Sequence, residues 1–369
     1  MIKRIIKDQI IESLFKKKIV IIYGPRQVGK TTLVKEIMKL YDNTQYINCD
    51  DPIVRSELTN PSLQKLKELF AWYKLIVIDE AQRIENIGLT LKMCIDEMPE
   101  LQIIATWSSS FELANKISEP LTGRKYLFHL YPFSREELKP SYTPIERKTL
   151  LESRLIYGMY PDVLLWDNNN LKLIVDSYLY KDILEHQQVK KSHTLVRLLQ
   201  ALALQLGSEV SYHELSQIVW LDPVTVEKYI DLLEQSFVIF RLPSFSRNIR
   251  NELKKSKKIY FRDNGVRNTI INSYNSLDLR SDVWALWENF CISERMKYLA
   301  YHNMQKNTYF RRTKQQQEID YIEEENMRLD AFEFKWSVKK TPGVPSNFAT
   351  AYDHSYLIIN PDNFEEFIG

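Results

Sequence analysis

From Gly24 the chain reads Gly24, Pro25, Arg26, Gln27, Val28, Gly29, Lys30, Thr31 and Thr32. A polyphosphate needs backbone N–H groups turned inward and a helix N-terminus aimed at its charge. Gly24 and Gly29 permit that wrap because a Cβ would obstruct it. Lys30 is expected to reach the β- and γ-phosphates of ATP, and the Thr31 hydroxyl to ligate Mg²⁺. The flanks agree: the β-rich run Ile19–Tyr23 precedes the loop and the helical stretch Thr31–Leu40 follows it. All nine residues are expected to contact nucleotide, as ATP or as ADP.

A second group follows on the apolar run Leu75–Asp79, which delivers Asp79 and Glu80 at its C-terminal end. That is the end at which α/β sheets bind ligands. Asp79 is expected to hold the Mg²⁺ shell with Thr31, and Glu80 to orient or deprotonate the attacking water. A further strand, Gln45–Cys49, lies between the two groups. It marks the ATPase branch in which the strand carrying Asp79 is not the neighbour of the first strand. The run Leu101–Thr106 ends in Trp107-Ser108-Ser109-Ser110, where a polar tip residue would sense the γ-phosphate. Spacing does not separate Ser108 from Ser109. Arg124 is a candidate arginine finger, acting in cis or on a neighbouring subunit.

A third group lies near the C-terminus. Glu318-Ile319-Asp320 ends one strand-like segment, and Glu333-Phe334-Lys335 lies on the next. Residues two apart in a strand share a face, so Glu333 and Lys335 should point together toward Asp320. Two carboxylates and a lysine so placed can bind Mg²⁺ and activate water against a phosphodiester. Glu288, on the preceding helix, would complete this possible second metal site. An ATP-gated, metal-dependent DNA nuclease therefore stands as an alternative to an ATPase, as does a non-hydrolysing nucleotide switch. The string Asp79-Glu80-Ala81-Gln82 suggests a helicase, but no second motor domain follows.

The elements that must position these groups fall into an expected α/β core at 1–145 with a mainly parallel sheet, followed by other modules. A helical stretch covers 146–192, broken at Gly158-Met159-Tyr160-Pro161. At 193–258 the order helix, helix, helix, hairpin is that of a winged helix-turn-helix. An α+β region fills 259–369, with a helix at Asp282–Tyr301. The second candidate DNA-reading helix carries Glu227, Asp231 and Glu234 against Lys228, a poor surface for phosphates. The expected wing, 247–258, has six cations (Arg247, Arg250, Lys254, Lys255, Lys257, Lys258) against Glu252. DNA binding is expected through the wing, although winged helices also serve as protein contacts.

The chain has 369 residues, three cysteines and a net charge of +2, so any nucleic-acid affinity must be local. Its cysteines form no disulfide or zinc pattern, which suits a reducing cytoplasm. Ile2, Ile5, Ile6, Ile10 and Leu14 read as an amphipathic helix, and no run is long enough to span a bilayer.

Taken together, these residues resemble a group of bacterial and archaeal AAA-like ATPases whose C-terminal region is catalogued as a domain of unknown function. The likeness rests on residues 24–32, Asp79–Gln82, Glu119–Lys125, Tyr131–Ser134, Tyr157–Pro161 and Trp287–Phe290. It implies an ATP-binding core, a winged helix and a C-terminal domain similar to PD-(D/E)XK nucleases, with a homo-oligomer or a protein partner open. One departure is local: Thr106-Trp107-Ser108-Ser109 stands where the group reads Thr-Gly-Ser-Ser. The indole is expected to disturb the sensor geometry.

Overall fold

The computed structural model describes residues 2–110, 113, 117, 119–166, 168, 170–176, 192–246, 257–313, 317–337 and 343–368. It divides into two compact units, Met1–Phe133 with Gln235–Phe237, and Ser134–Glu234 with Val238–Gly369. The first unit thus closes at Phe133, short of residue 145.

In the first unit, β1 (Ile19–Tyr23), β2 (Thr44–Asn48), β3 (Leu75–Asp79), β4 (Gln102–Trp107) and β5 (Lys125–His129) form one sheet in the order β2-β3-β4-β1-β5. All four pairings are parallel. Every residue of β3 and β4 is buried, whereas the edge strands β2 and β5 are half-exposed. Parallel strands covered on both faces must be apolar throughout, which is why β1 and β3 read as unbroken apolar runs. As the sequence implied, β3 is not next to β1; β4 lies between them. The register pairs Tyr23 with Trp107 and Ile78 with Ala105. The loops after β1, β3 and β4 therefore leave the sheet at the same edge.

The second unit begins with helices Arg135–Leu138, Pro144–Tyr157, Pro161–Leu165, Asn170–Val175 and Ser192–Leu204. β6 (Glu209–Val210), helices Tyr212–Val219 and Pro223–Gln235, β7 (Ile239–Pro243) and β8 (Lys257–Phe261) come next. These strands form an antiparallel sheet in the order β6-β8-β7. Residues 247–256 of the expected wing lie outside the described residues. Lys257 and Lys258 open β8, where Lys258 is buried.

The helix Asn264–Ile270 follows, and after it the helix Val283–Tyr301, buried on nearly every side, as befits a core helix. With it are β9 (Asn307–Arg312), β10 (Glu318–Glu325), β11 (Arg328–Phe334) and β12 (His354–Ile359), in the order β12-β11-β10-β9. β9, β10 and β11 pair antiparallel, and β12 joins β11 in parallel. No helix of the described residues is long and apolar enough to cross a membrane.

Candidate nucleotide site

The loop after β1 is a tight fit against the strand beside it. Gly24 has φ +153°, and a Cβ there would come within 2.1 Å of the Leu130 carbonyl oxygen. Only glycine tolerates both conditions. Gly29, at φ +95°, caps the helix Lys30–Met38 and turns the chain into it. Lys30 is buried, and its ammonium donates to the carbonyls of Gly24 and Pro25 at 2.9 Å each. The cation is thereby held over the mouth of its own loop.

Thr31 is the second residue of that helix, and its hydroxyl donates to Asp79 Oδ2 at 2.7 Å. Asp79 is buried at the tip of β3. It also accepts from Tyr46 at 2.5 Å and from the Thr106 hydroxyl. Burial, and then the bond to Asp79, raises the Tyr46 phenol well above its ordinary range. Three hydroxyls thus surround one carboxylate. Thr31 and Asp79 together form a hard-oxygen pair of the kind Mg²⁺ takes.

Glu80 sits just beyond, in the left-handed region at φ +56°, with its N–H donating to Thr106 Oγ1 at 2.9 Å. Its Oε2 accepts from the Ser108 hydroxyl at 2.6 Å and from the Gln82 amide. Gln82 also donates to Ser108 Oγ at 3.2 Å. Ser108, not Ser109, is therefore the residue of that loop which meets Glu80. The Trp107 indole is fully buried in the core of the first unit, and Ser108, the next residue, faces Glu80.

Arg124 is not brought to this edge. Its carbonyl accepts from Ile19 N–H at the start of β1, while the phosphate loop follows the end of that strand, about 15 Å away. Its Nε bonds Asp96 at 2.8 Å. This placement rules out the in-cis finger; action on a neighbouring subunit is the form of the expectation left standing.

Three contributors went unread in the sequence: Tyr46, Gln82 and Arg4. Gln82 had a signal, lying two residues after Glu80. Arg4 stands between Lys3 and Ile5, and nothing local sets it apart from the neighbouring cations Lys3 and Lys7. It is buried, donating to Val28 O in the loop at 3.0 Å and to Tyr131 O at 2.5 Å. Charged hydrogen bonds to buried carbonyls are worth roughly 1.5–3 kcal/mol each, so Arg4→Ala should destabilise the first unit by about 2 kcal/mol or more. Urea unfolding would register it; an unchanged midpoint would contradict this account of Arg4.

The C-terminal residues do come together. β10 pairs with β11 so that Tyr321 faces Phe332, which sets Asp320 alongside Glu333. Asp320 Oδ2 accepts from Phe334 N–H at 2.9 Å, and Lys335 Nζ meets Glu333 Oε1 at 2.7 Å. Burial lowers the Lys335 ammonium, but Glu333, Asp320 and Glu288 outweigh it and raise the group. Burial, reinforced by the charges of Glu288 and Glu333, holds the Asp320 carboxyl well above the usual carboxylate range. Two expectations are corrected here. Among the described residues, no three His, Cys, Asp or Glu are arranged to hold a metal ion. Lys258, counted above as a wing cation, is buried and ion-paired with Glu288 and Glu318.

Comparison with known proteins bears on the first unit directly. A family model described as an AAA domain matches residues 16–139. The chain carries an AAA domain. Two further models, each described as a domain of unknown function, match residues 148–277 (DUF8612) and 285–367 (DUF4143). An uncharacterised protein of Mycobacterium tuberculosis is 27% identical over 347 residues, covering 92% of this chain and 74% of its own. Another, from Methanocaldococcus jannaschii, is 25% identical over 272 residues, or 66% of this chain and 60% of its own. Among solved structures, the Walker-type ATPase of Pyrococcus abyssi is 15% identical with a TM-score of 0.48, over 73% of this chain and 96% of that one. Within the AAA domain, the loop Gly24–Thr31, Asp79-Glu80 and Ser108 are the residues described above.

Proposed function

We propose that this chain binds ATP with Mg²⁺ at its AAA domain and hydrolyses it, and that its nucleotide state controls the winged-helix and nuclease-like regions. One observation carries the reading: the Thr31 hydroxyl and Asp79 meet at the head of the phosphate loop, with Glu80 and Ser108 joined beside them. Lys30 would leave the Gly24 and Pro25 carbonyls for the β- and γ-phosphates. The rest of the loop, from Arg26 to Thr32, would turn its N–H groups to the same charge. Mg²⁺, held by Thr31 and Asp79, would neutralise charge on the transferring phosphoryl group. Glu80 would take the proton of the attacking water, held in aim by Ser108 and Gln82. Arg124 would serve a neighbouring subunit, which makes an oligomer part of the proposal.

Phosphate release by wild type and Lys30→Ala tests this. Lys30→Ala should weaken ATP binding at least tenfold, about 1.4 kcal/mol, and bring release to background. Equal release from both proteins would end the ATPase reading. Binding without release in wild type would instead favour the nucleotide switch. DNA as a partner has lost one of its supports, since Lys258 faces carboxylates inside the second unit.

The nuclease alternative has one observation in its favour, the meeting of Asp320, Glu333 and Lys335. It has one against it, the ammonium beside Glu288.

A further inference from the structure

Lys258 is 2% exposed on β8. Its ammonium lies 3.1 Å from Glu288 Oε1 and 2.7 Å from Glu318 Oε1, with the Phe310 ring 5.4 Å away. Tyr260, two residues on and so on the same face of β8, donates to the same Glu288 oxygen at 2.5 Å. Asp320 is close enough for its charge to act on Lys258. Glu333 accepts from Lys335 through Oε1, while its Oε2 is buried with no hydrogen-bond partner among the described residues. The helix Val283–Tyr301 and strands β10 and β11 thus bring four carboxylates to one place, and β8 brings the ammonium.

Such a group is stable only if cations neutralise it, since a buried unpaired charge is far costlier than a paired one. A divalent ion bound by Glu288 and the β10 and β11 carboxylates would need the volume the ammonium fills. An ammonium and a hydrated Mg²⁺ make the same demand on carboxylate oxygens, and both cannot be met at once. The absence of a metal-ready trio among the described residues agrees with this.

We propose that the Lys258 ammonium stands in for a divalent cation among Glu288, Glu318, Asp320 and Glu333, closing this centre to metal in the native chain. Removing the ammonium opens it. The centre is then a latent hard-metal site, with oxygen ligands suited to Mg²⁺ or Mn²⁺. The inference does not depend on ATP hydrolysis, because it concerns the second unit and is tested without nucleotide.

The probe is Mn²⁺ alone, read by calorimetry and by the thermal midpoint of the full chain with Mn²⁺ or with chelator. Asp320→Ala serves as the control that separates this centre from Asp79. Wild type should show no Asp320-dependent Mn²⁺ binding. Lys258→Met should bind Mn²⁺ at least about tenfold more tightly than wild type and regain midpoint on its addition, as linkage requires. Adding Asp320→Ala should erase that gain. If Lys258→Met does not fold, Lys258→Gln, which keeps a donor for Glu318, takes its place in the same measurement. Asp320-dependent binding by wild type would overturn the proposal, and so would a Lys258 variant that folds but gains none.

Discussion

Under the proposed hydrolysis, Glu80→Gln should lower ATP turnover by roughly 10²–10⁴-fold and leave ATP affinity within about threefold of wild type. The size follows from what the substitution removes and what it keeps. The carboxylate is the proposed proton acceptor, and an amide cannot take that proton. An amide does fill the same space. It still offers an oxygen to the Ser108 hydroxyl, 2.6 Å from Glu80 Oε2, and to the Gln82 amide. The backbone of Glu80 stays tied to Thr106 Oγ1 in either case. The loop Gly24–Thr31 and Lys30 are untouched, so binding should survive. A single-turnover assay beside a nucleotide-binding titration separates the two quantities. Unchanged turnover would move the base elsewhere, while a parallel loss of affinity would make Glu80 a structural residue of the loop.

How much of this was legible in the chain depended on the range of the signal. The phosphate loop, Asp79-Glu80 and the first four strands of the first unit are local patterns, and those strands appear within one residue of their expected bounds. Helix Val283–Tyr301 was read for the same reason. Ser108 against Ser109 could not be decided from spacing. The choice turns on which way the chain faces after β4, and Trp107 sets this by filling the core. Tyr46 was hidden because its register with β3, which brings its hydroxyl to Asp79, depends on strand pairing. Arg124 was misplaced for a related reason: its neighbours in sequence say nothing about which end of β1 they adjoin. Lys258 shows the limit most clearly. Among six cations within twelve residues it looks solvated, and only Glu288 and Glu318, 30 and 60 positions on, reveal that it is buried.

Gly158→Ala should cost about 3–5 kcal/mol of stability. Gly158 ends the helix Pro144–Tyr157 at φ +77° and ψ −159°, a region that residues with a side chain all but avoid. A Cβ there would also lie 2.0 Å from Asp263 Oδ1 and 2.6 Å from its Cγ. Asp263 cannot give way easily. It is buried, accepts from Met159 N–H at 2.7 Å, and caps the helix Asn264–Ile270 through Val266 N–H at 3.2 Å. Moving it would strand two N–H donors and a carboxylate. Gly207 supplies the control. It has a similar φ of +72°, but a Cβ there would meet Glu288 no closer than 3.5 Å. Gly207→Ala should therefore cost about 1–2 kcal/mol, mostly backbone strain. Urea unfolding of both variants, followed by a probe of the second unit, isolates the steric part as their difference. Equal losses would mean that the left-handed backbone alone selects glycine at 158, and that Asp263 is free to shift.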